Sequence, residues 1–190
     1  MNKHFVNLPV LETKNLILRP VQAEDYKAVF EFASDPDVAK YTSWDVHKTI
    51  EDSKVLVKFI TKRYAGNKPS NWAVILKSSN QLIGTCGFVS AFAANKRGEI
   101  AFAIRKEHWR KGYMTEAVNK SIEFGFNELK LNRIEAVCDA ENEASSRLLE
   151  KCGMKFEGIL RQYVFIRGQF RDMKSYAILA GEYFKRSLLY

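Results

Sequence analysis

Residues 99–126, EIAFAIRKEHWRKGYMTEAVNKSIEFGF, constrain this chain more than any other stretch. A strand-like run over 99–105 enters the charged turn Lys106-Glu107-His108 and then Trp109-Arg110-Lys111-Gly112. From Met114 onward, apolar or small residues recur at helical spacing: Met114, Ala117, Val118, Ser121, Ile122, Gly125 and Leu129. That stripe predicts an amphipathic helix packed on a sheet. A strand, a tight glycine-bearing turn and a helix start bring several unpaired backbone N–H groups to one point. The positive end of the helix dipole adds to them. Such a point attracts an anion such as a pyrophosphate.

The rest of the chain is read around that unit. Leu16-Ile17-Leu18-Arg19-Pro20 reads as a short strand ended by a proline that cannot donate to a ladder. Glu24-Asp25 opens a helix with an apolar face of Tyr26, Val29, Phe30 and Ala33, broken at Asp35-Pro36. Residues 38–47 form a loop rich in aromatic and polar side chains, and a second helix carries Ile50, Val55, Phe59 and Ile60. Residues 72–76 and 82–89 read as a hairpin around 78–81. Residues 132–138 read as a buried strand. Asn142 then begins a helix with Leu148, Leu149 and Cys152 inward, ended by Gly153. Residues 154–166 and 170–180 form a final hairpin around Arg167-Gly168-Gln169. The predicted order is β-α-α-β-β-β-α-β-α-β-β, with no internal repeat. The fold class is α/β in the α+β sense: a mixed, mostly antiparallel sheet with helices on both faces, in one domain over residues 1–190.

Composition narrows the function classes. The 190 residues include 46% hydrophobic and 27% charged, as in an ordinary soluble domain. No apolar run approaches a membrane span, and the N-terminal residues lack the apolar core of a signal peptide. Cys86, Cys138 and Cys152 have no metal-ligand spacing, and no zinc site is visible. Their odd number points to reduced thiols packed in the core and a cytoplasmic location. The net charge of +8 suits an acidic partner: an anionic cofactor, nucleic acid or a ribosomal surface. No basic run exceeds two residues, which argues against a direct nucleic-acid arm.

The run Trp109-Arg110-Lys111-Gly112-Tyr113-Met114-Thr115-Glu116-Ala117 resembles the acyl-CoA-binding motif of the GNAT N-acyltransferases. It is most similar to the branch of ribosomal-protein N-terminal acetyltransferases, which reads Trp-Gly-Lys-Gly-Tyr-Ala-Thr-Glu-Ala. Arg110 replaces the first glycine of that motif, and Met114 stands where a small residue is usual. Residues 139–158 resemble the family's Asn-x-x-Ser…Glu-Lys-x-Gly-Phe…Glu-Gly run. Leu160-Arg161, Gly168, Arg171-Asp172 and Tyr176 resemble the branch's C-terminal hairpin, and the strand ending Arg19-Pro20 resembles its opening.

The resemblance implies a GNAT fold and direct acetyl transfer from acetyl-CoA to an amine, without a metal. In it Arg110, Lys111, Gly112, Tyr113, Met114 and Thr115 cradle the pyrophosphate. The pantetheine arm runs beside the central strand and bonds backbone around Ala103, Ile104 and Arg105. A backbone N–H there stabilises the oxyanion. Ala101 and Ala103 share the strand face that leaves space; packing of a close helix explains them equally well. Asn142 is an N-cap, a cofactor contact or both. Ser145, one helical turn on, is the candidate donor to the leaving thiolate, with Tyr163 the alternative. Glu99 is the candidate base, acting through water. Its alternative is a strand-end charge near Arg97. His108 reads as solvated or structural. Tyr41, Trp44 and Tyr163 are candidate acceptor contacts, the first two equally explained as aromatics closing the core. The acceptor implied is the N-terminal amine of a ribosomal protein. The other readings are a small amine (polyamine or antibiotic) and a non-catalytic acyl-CoA-binding module. A homodimer is compatible with the family.

Overall fold

In a computed structural model, which describes residues 4–187, local signals become elements in the expected order with three additions. Residues 1–3 and 188–190 of the expected domain lie outside the described residues. The strands are β1 (Leu11–Glu12), β2 (Leu16–Pro20), β3 (Asn71–Leu76), β4 (Gln81–Phe92), β5 (Arg97–Ile104), β6 (Arg133–Asp139), β7 (Lys155–Ile166) and β8 (Gln169–Leu179). The helices are α1 (Tyr26–Ala33), α2 (Pro36–Ala39), α3 (Ile50–Ala65), α4 (Tyr113–Asn127), α5 (Glu143–Lys151) and α6 (Ala180–Ser187). The additions are β1, α2 and α6. Asp35-Pro36 does end α1, but proline at a first helical position also starts a helix, and the Asp35 carboxylate accepts from the Asp37 amide at 2.8 Å.

Two expected apolar faces are corrected. In α1 the buried aromatic is Phe32, with Phe30 only half-buried. In α3 the inward stripe is Ser53, Val57, Ile60 and Tyr64, whereas Val55 and Phe59 are 70% and 58% exposed. Helical phase explains this: 53, 57, 60 and 64 repeat at four, three and four, while 55 and 59 project elsewhere. The Arg63 guanidinium covers the Phe59 ring at 5.5 Å, which tolerates that exposure.

One eight-stranded sheet has the order β1-β2-β3-β4-β5-β6-β8-β7. Every neighbouring pair is antiparallel except β5 and β6. That parallel pair is short: Arg97 faces Arg133, Gly98 faces Ile134 and Glu99 faces Glu135, after which the strands part. A bulge at Val89 in β4 lies opposite Ile100 and Glu99, the point of parting. α4 covers one face: Gly125 leaves only the room that Phe88 and Ile134 need, and the Ser121 hydroxyl meets the Cys86 thiol at 3.5 Å. Since Cys86 pairs with Phe102 and Phe88 with Ile100, alternation puts Ile100, Phe102 and Ile104 on the α4 face. Glu99, Ala101 and Ala103 occupy the other.

The Arg19 guanidinium grips the Asp25 carboxylate with two bonds of 2.7 Å, which fixes the entry to α1. Cys86, Cys138 and Cys152 are buried and form no disulfide. Among the described residues no helix is long and apolar enough to cross a membrane.

Candidate active site

Parallel strands that part leave their carboxyl ends facing an open crevice, and the loops leaving those ends meet there. Here the loops are 105–112 after β5 and 140–142 after β6. β5 alternates its backbone groups between β4 and β6. The Arg105 amide donates to the Ile83 carbonyl at 2.8 Å, so Arg105, Ala103 and Ala101 direct their backbone toward β4. Phe102 and Ile104 direct theirs toward β6, beyond the last paired residue, Glu99. The free backbone in the crevice is therefore that of Phe102 and Ile104, a correction to the expectation for Ala103 and Arg105. Ala103 is also closed over, at 7% exposure. The Arg105 side chain is held by Glu31 (2.7 Å) and Glu107 (2.8 Å). The Ile104 carbonyl accepts from the Trp109 indole at 2.9 Å, which leaves its N–H facing the gap.

The turn into α4 holds two left-handed residues, Arg110 at φ +60° and Gly112 at φ +83°. A side chain on Gly112 would meet nothing within 4 Å, so its backbone conformation rather than packing calls for glycine. Arg110 adopts the conformation natural to the glycine it replaces, at a cost of about 1–2 kcal/mol. No side chain caps α4. Among the described residues, the backbone N–H groups of Arg110, Lys111, Gly112, Tyr113, Met114 and Thr115 donate to no protein acceptor. Adjacent free donors at a helix start, beside two exposed cationic side chains, are the arrangement that suits an anion, a candidate cradle. Met114 is buried, pointing into the core. It does not obstruct the cradle. Glu116 faces away from it: its two oxygens accept from the Asn15 amide (2.8 Å) and side chain (2.9 Å) and tie α4 to β2.

Glu99 sits at the apex of the crevice, half-buried, 3.4 Å from the Ser90 hydroxyl and facing Glu135 across the strands. Burial raises its carboxyl above the ordinary value, and Glu135 adds to the rise; Ser90 and Arg97 oppose both. Asn142 is the N-cap of α5, its side chain accepting from the Ser145 amide at 3.1 Å. The Ser145 side chain is half-buried in the first turn of α5. Burial holds His108 below the ordinary histidine value; its ring lies 6.0 Å from that of Tyr113 and its Nδ1 is buried without a partner, a structural position.

The candidate acceptor contacts Tyr41 and Trp44 lie in a loop held by distant parts of the chain. An ion pair between Lys106 and Asp37, with that of Arg105 and Glu31, fastens α1 and α2 to the loop after β5. Tyr41 is half-buried, as is Trp44, which packs on the core with its indole N–H buried and unpartnered. Tyr163 is 57% exposed, in the irregular part of β7 between Leu160 and Val164. Sequence reasoning missed Arg167. It donates to the carbonyls of Ala39, Lys40 and Trp44, joining the tip of the β7–β8 hairpin to the loop at 40–45. The signal available was an arginine where a two-residue hairpin turn favours asparagine.

An acetyltransferase (GNAT) domain matches residues 15–155. An uncharacterized N-acetyltransferase of Bacillus subtilis (strain 168), YoaA, is 36% identical over 90% of this chain and 97% of its own length. The spermidine N(1)-acetyltransferase of Vibrio cholerae is 24% identical over 90% of this chain and 97% of its own. A GNAT-family acetyltransferase from Bacillus anthracis superposes with a TM-score of 0.81 at 34% identity, covering 91% of this chain and 99% of that one. RimL, a ribosomal L7/L12 N-acetyltransferase solved with coenzyme A, has the same fold at a TM-score of 0.81 and 16% identity, covering 90% and 98%. With the match spanning most of the chain, and a free-amide cradle beside a parted strand pair, this protein belongs to the GNAT acetyltransferase family and is an acetyl-CoA-dependent N-acyltransferase.

Proposed function

We propose that this chain acetylates a primary amine by direct transfer from acetyl-CoA, with the N-terminal amine of a ribosomal protein as acceptor. The observation that carries the cofactor assignment is the set of unbonded amides from Arg110 to Thr115 at the open end of the β5–β6 crevice. Those donors, with Arg110 and Lys111, match the negative charge of a pyrophosphate. The Phe102 and Ile104 backbone offers a ladder edge to the amides of a pantetheine arm, and the Ile104 N–H is available to an acyl oxygen. When bound, acetyl-CoA supplies the thioester. A thiol of pKa about 8.5 leaves with modest help, for which the Ser145 hydroxyl suffices; Tyr163 is the alternative donor.

Glu99 accepts the amine's proton through water. Its raised affinity for a proton fits the task only in part, since no carboxylate competes well with an amine of pKa about 10.4. An α-amine, at about 7.7–8.0, is roughly 10–20% neutral at pH 7 and asks little of a base. That favours a protein N-terminus over a lysine, and the net charge of +8 suits the anionic surroundings of a ribosome. A polyamine is the second reading, favoured by the similarity to spermidine N(1)-acetyltransferase. We place Tyr41 and Trp44 at the acceptor side and the enzyme in the cytoplasm; a homodimer is compatible with this reading.

The first test is a thermal melt with acetyl-CoA against ATP and NAD. Ligand at about 100 times Kd adds roughly 2.7 kcal/mol, on the order of 5–11 °C for a chain of this size. A rise with acetyl-CoA alone supports the cradle; no rise at millimolar acetyl-CoA refutes it. Intact-mass analysis of ribosomal proteins, and of spermidine, then decides the acceptor. An acetyl mass increment on no ribosomal protein overturns the ribosomal reading.

A further inference from the structure

β8 pairs with β6 only from Met173 to Leu179, so the outer part of the β7–β8 hairpin overhangs the end of β6. This is the open end of the crevice, where Asp139 pairs with Met173. The hairpin closes through a two-residue turn, Arg167 at φ +50° and Gly168 at φ +74°. Two positive φ values define a turn whose preferred pair is Asn-Gly. An arginine there is conformationally costly, and the contacts of its side chain offset that cost.

That side chain spans to the loop after α2. Nη2 donates to the Ala39 carbonyl at 2.9 Å and to that of Trp44 at 2.5 Å; Nη1 donates to that of Lys40 at 3.0 Å. Nε donates to the Asp45 carboxylate at 3.1 Å. Ala39 is the last residue of α2, so the guanidinium also meets the negative end of a short helix. One planar fork thus gathers a loop that carries both Tyr41 and Trp44, across 122–128 residues of sequence. Trp44 receives the bond at its carbonyl and keeps its indole N–H buried and unpartnered.

We propose that Arg167 is a positioning residue: it locks the overhanging hairpin to the loop at 40–45 and so sets the acceptor wall of the crevice. The inference rests on the reading of that loop as the acceptor side. The lock acts on amine binding and leaves the cradle untouched, since the Arg167 bonds go to residues 39–45.

Arg167→Asn is the discriminating variant, because asparagine satisfies the turn but cannot reach the four carbonyls of Ala39, Lys40, Thr42 and Trp44. Its fold should hold, because the turn gains its preferred residue and the core and sheet are untouched. Hydrogen exchange at the Thr42 amide, which donates to the Ala39 carbonyl at 3.0 Å, needs no amine substrate; it should quicken about tenfold or more once the charge-assisted bonds are lost. Unchanged exchange overturns the lock. Turnover with an alanine-initiated peptide and with spermidine then reads the positioning role. The KM for the amine that is acetylated should rise about fivefold or more, with the KM for acetyl-CoA unchanged. Faster exchange with an unchanged amine KM overturns the positioning role. Arg167→Lys retains charge without the fork and should behave like the asparagine variant; full activity in it shows steering by charge and overturns the proposal. If the parent acetylates neither amine, the acceptor reading itself is refuted, while the exchange result still decides whether the lock exists.

Discussion

The turn and helix start at residues 110–115 and the loop at residues 40–45, the proposed cofactor and acceptor sides, are held by different atoms. The cradle is contiguous, and its working groups are backbone amides fixed by two left-handed residues, Arg110 and Gly112. Its side chains are interchangeable in principle, which is why an arginine can stand where the motif has glycine. The acceptor side is assembled: Ala39, Lys40, Trp44 and Asp45 are tied by Arg167 from the far end of the chain, and by Lys106 and Arg105 through α2 and α1. A backbone site of this kind tolerates side-chain change and resists conformational change. A wall of side-chain locks has the opposite sensitivity, and that lets acceptor choice vary on a constant cofactor frame.

Mutations can break this contrast. The largest effect is expected from Glu99→Gln, a side-chain change at the apex. Turnover at pH 7 should fall about a hundredfold with spermidine, whose amines are almost fully protonated, and less with an α-amine. The acid limb of the parent's rate–pH profile, lying above the ordinary glutamate range because burial and Glu135 raise the carboxyl, should disappear. The sign of the stability effect is opposite. A carboxyl raised in the folded state destabilises the fold once pH exceeds its unfolded value, so the variant should melt at an equal or higher temperature at pH 7. A marked drop in melting temperature would make Glu99 structural.

Next is Gly112→Val, which asks a β-branched residue to hold φ +83°. Acetyl-CoA affinity by calorimetry should drop about tenfold, as about 1–2 kcal/mol of strain moves the amides. Unaltered affinity would show that the cradle does not depend on that conformation.

Glu116→Ala removes both bonds to Asn15 and should cost about 2 kcal/mol, on the order of 4–8 °C in melting temperature. Burial alone would raise the Glu116 carboxyl, but hydrogen bonds from Asn15 and Thr13 outweigh it and the net shift is downward. Its contribution is therefore complete above the usual carboxylate range and fades as pH falls through it. The gap between parent and variant should narrow in acid; a gap independent of pH would assign the loss to packing.

The smallest effect is expected from Arg110→Gly. It relieves the left-handed strain and removes one charge, so acetyl-CoA affinity should fall no more than about threefold, and less at high salt. A larger, salt-independent loss would make the guanidinium a direct ligand and weaken the backbone account.

The free amides of residues 110–115 were legible because their cause is local: Gly112, the turn before it and the helical stripe after it lie within one short stretch. The N-cap role of Asn142 was legible for the same reason. The inward face of α3 was not, because Ile50, Val55 and Phe59 are as apolar as Val57 and Ile60, and only the phase of packing against α1 selects among them. Nor was the backbone available in the crevice. Alternation says that every second residue of β5 faces β6, but the parity needs a register, and the Arg105–Ile83 bond supplies it.

The amino-acid sequence by itself determined the order of the main elements, the tight glycine-bearing turn before α4 and the donors that follow it, since these depend on backbone preferences over a few residues. The tertiary structure alone decided where β5 and β6 part and that Phe102 and Ile104, not Ala103 and Arg105, face the gap. It also decided that Arg167 meets the loop at 40–45. The reason is physical: a hydrogen bond between residues more than 120 positions apart exists only once the sheet has set the distance between them.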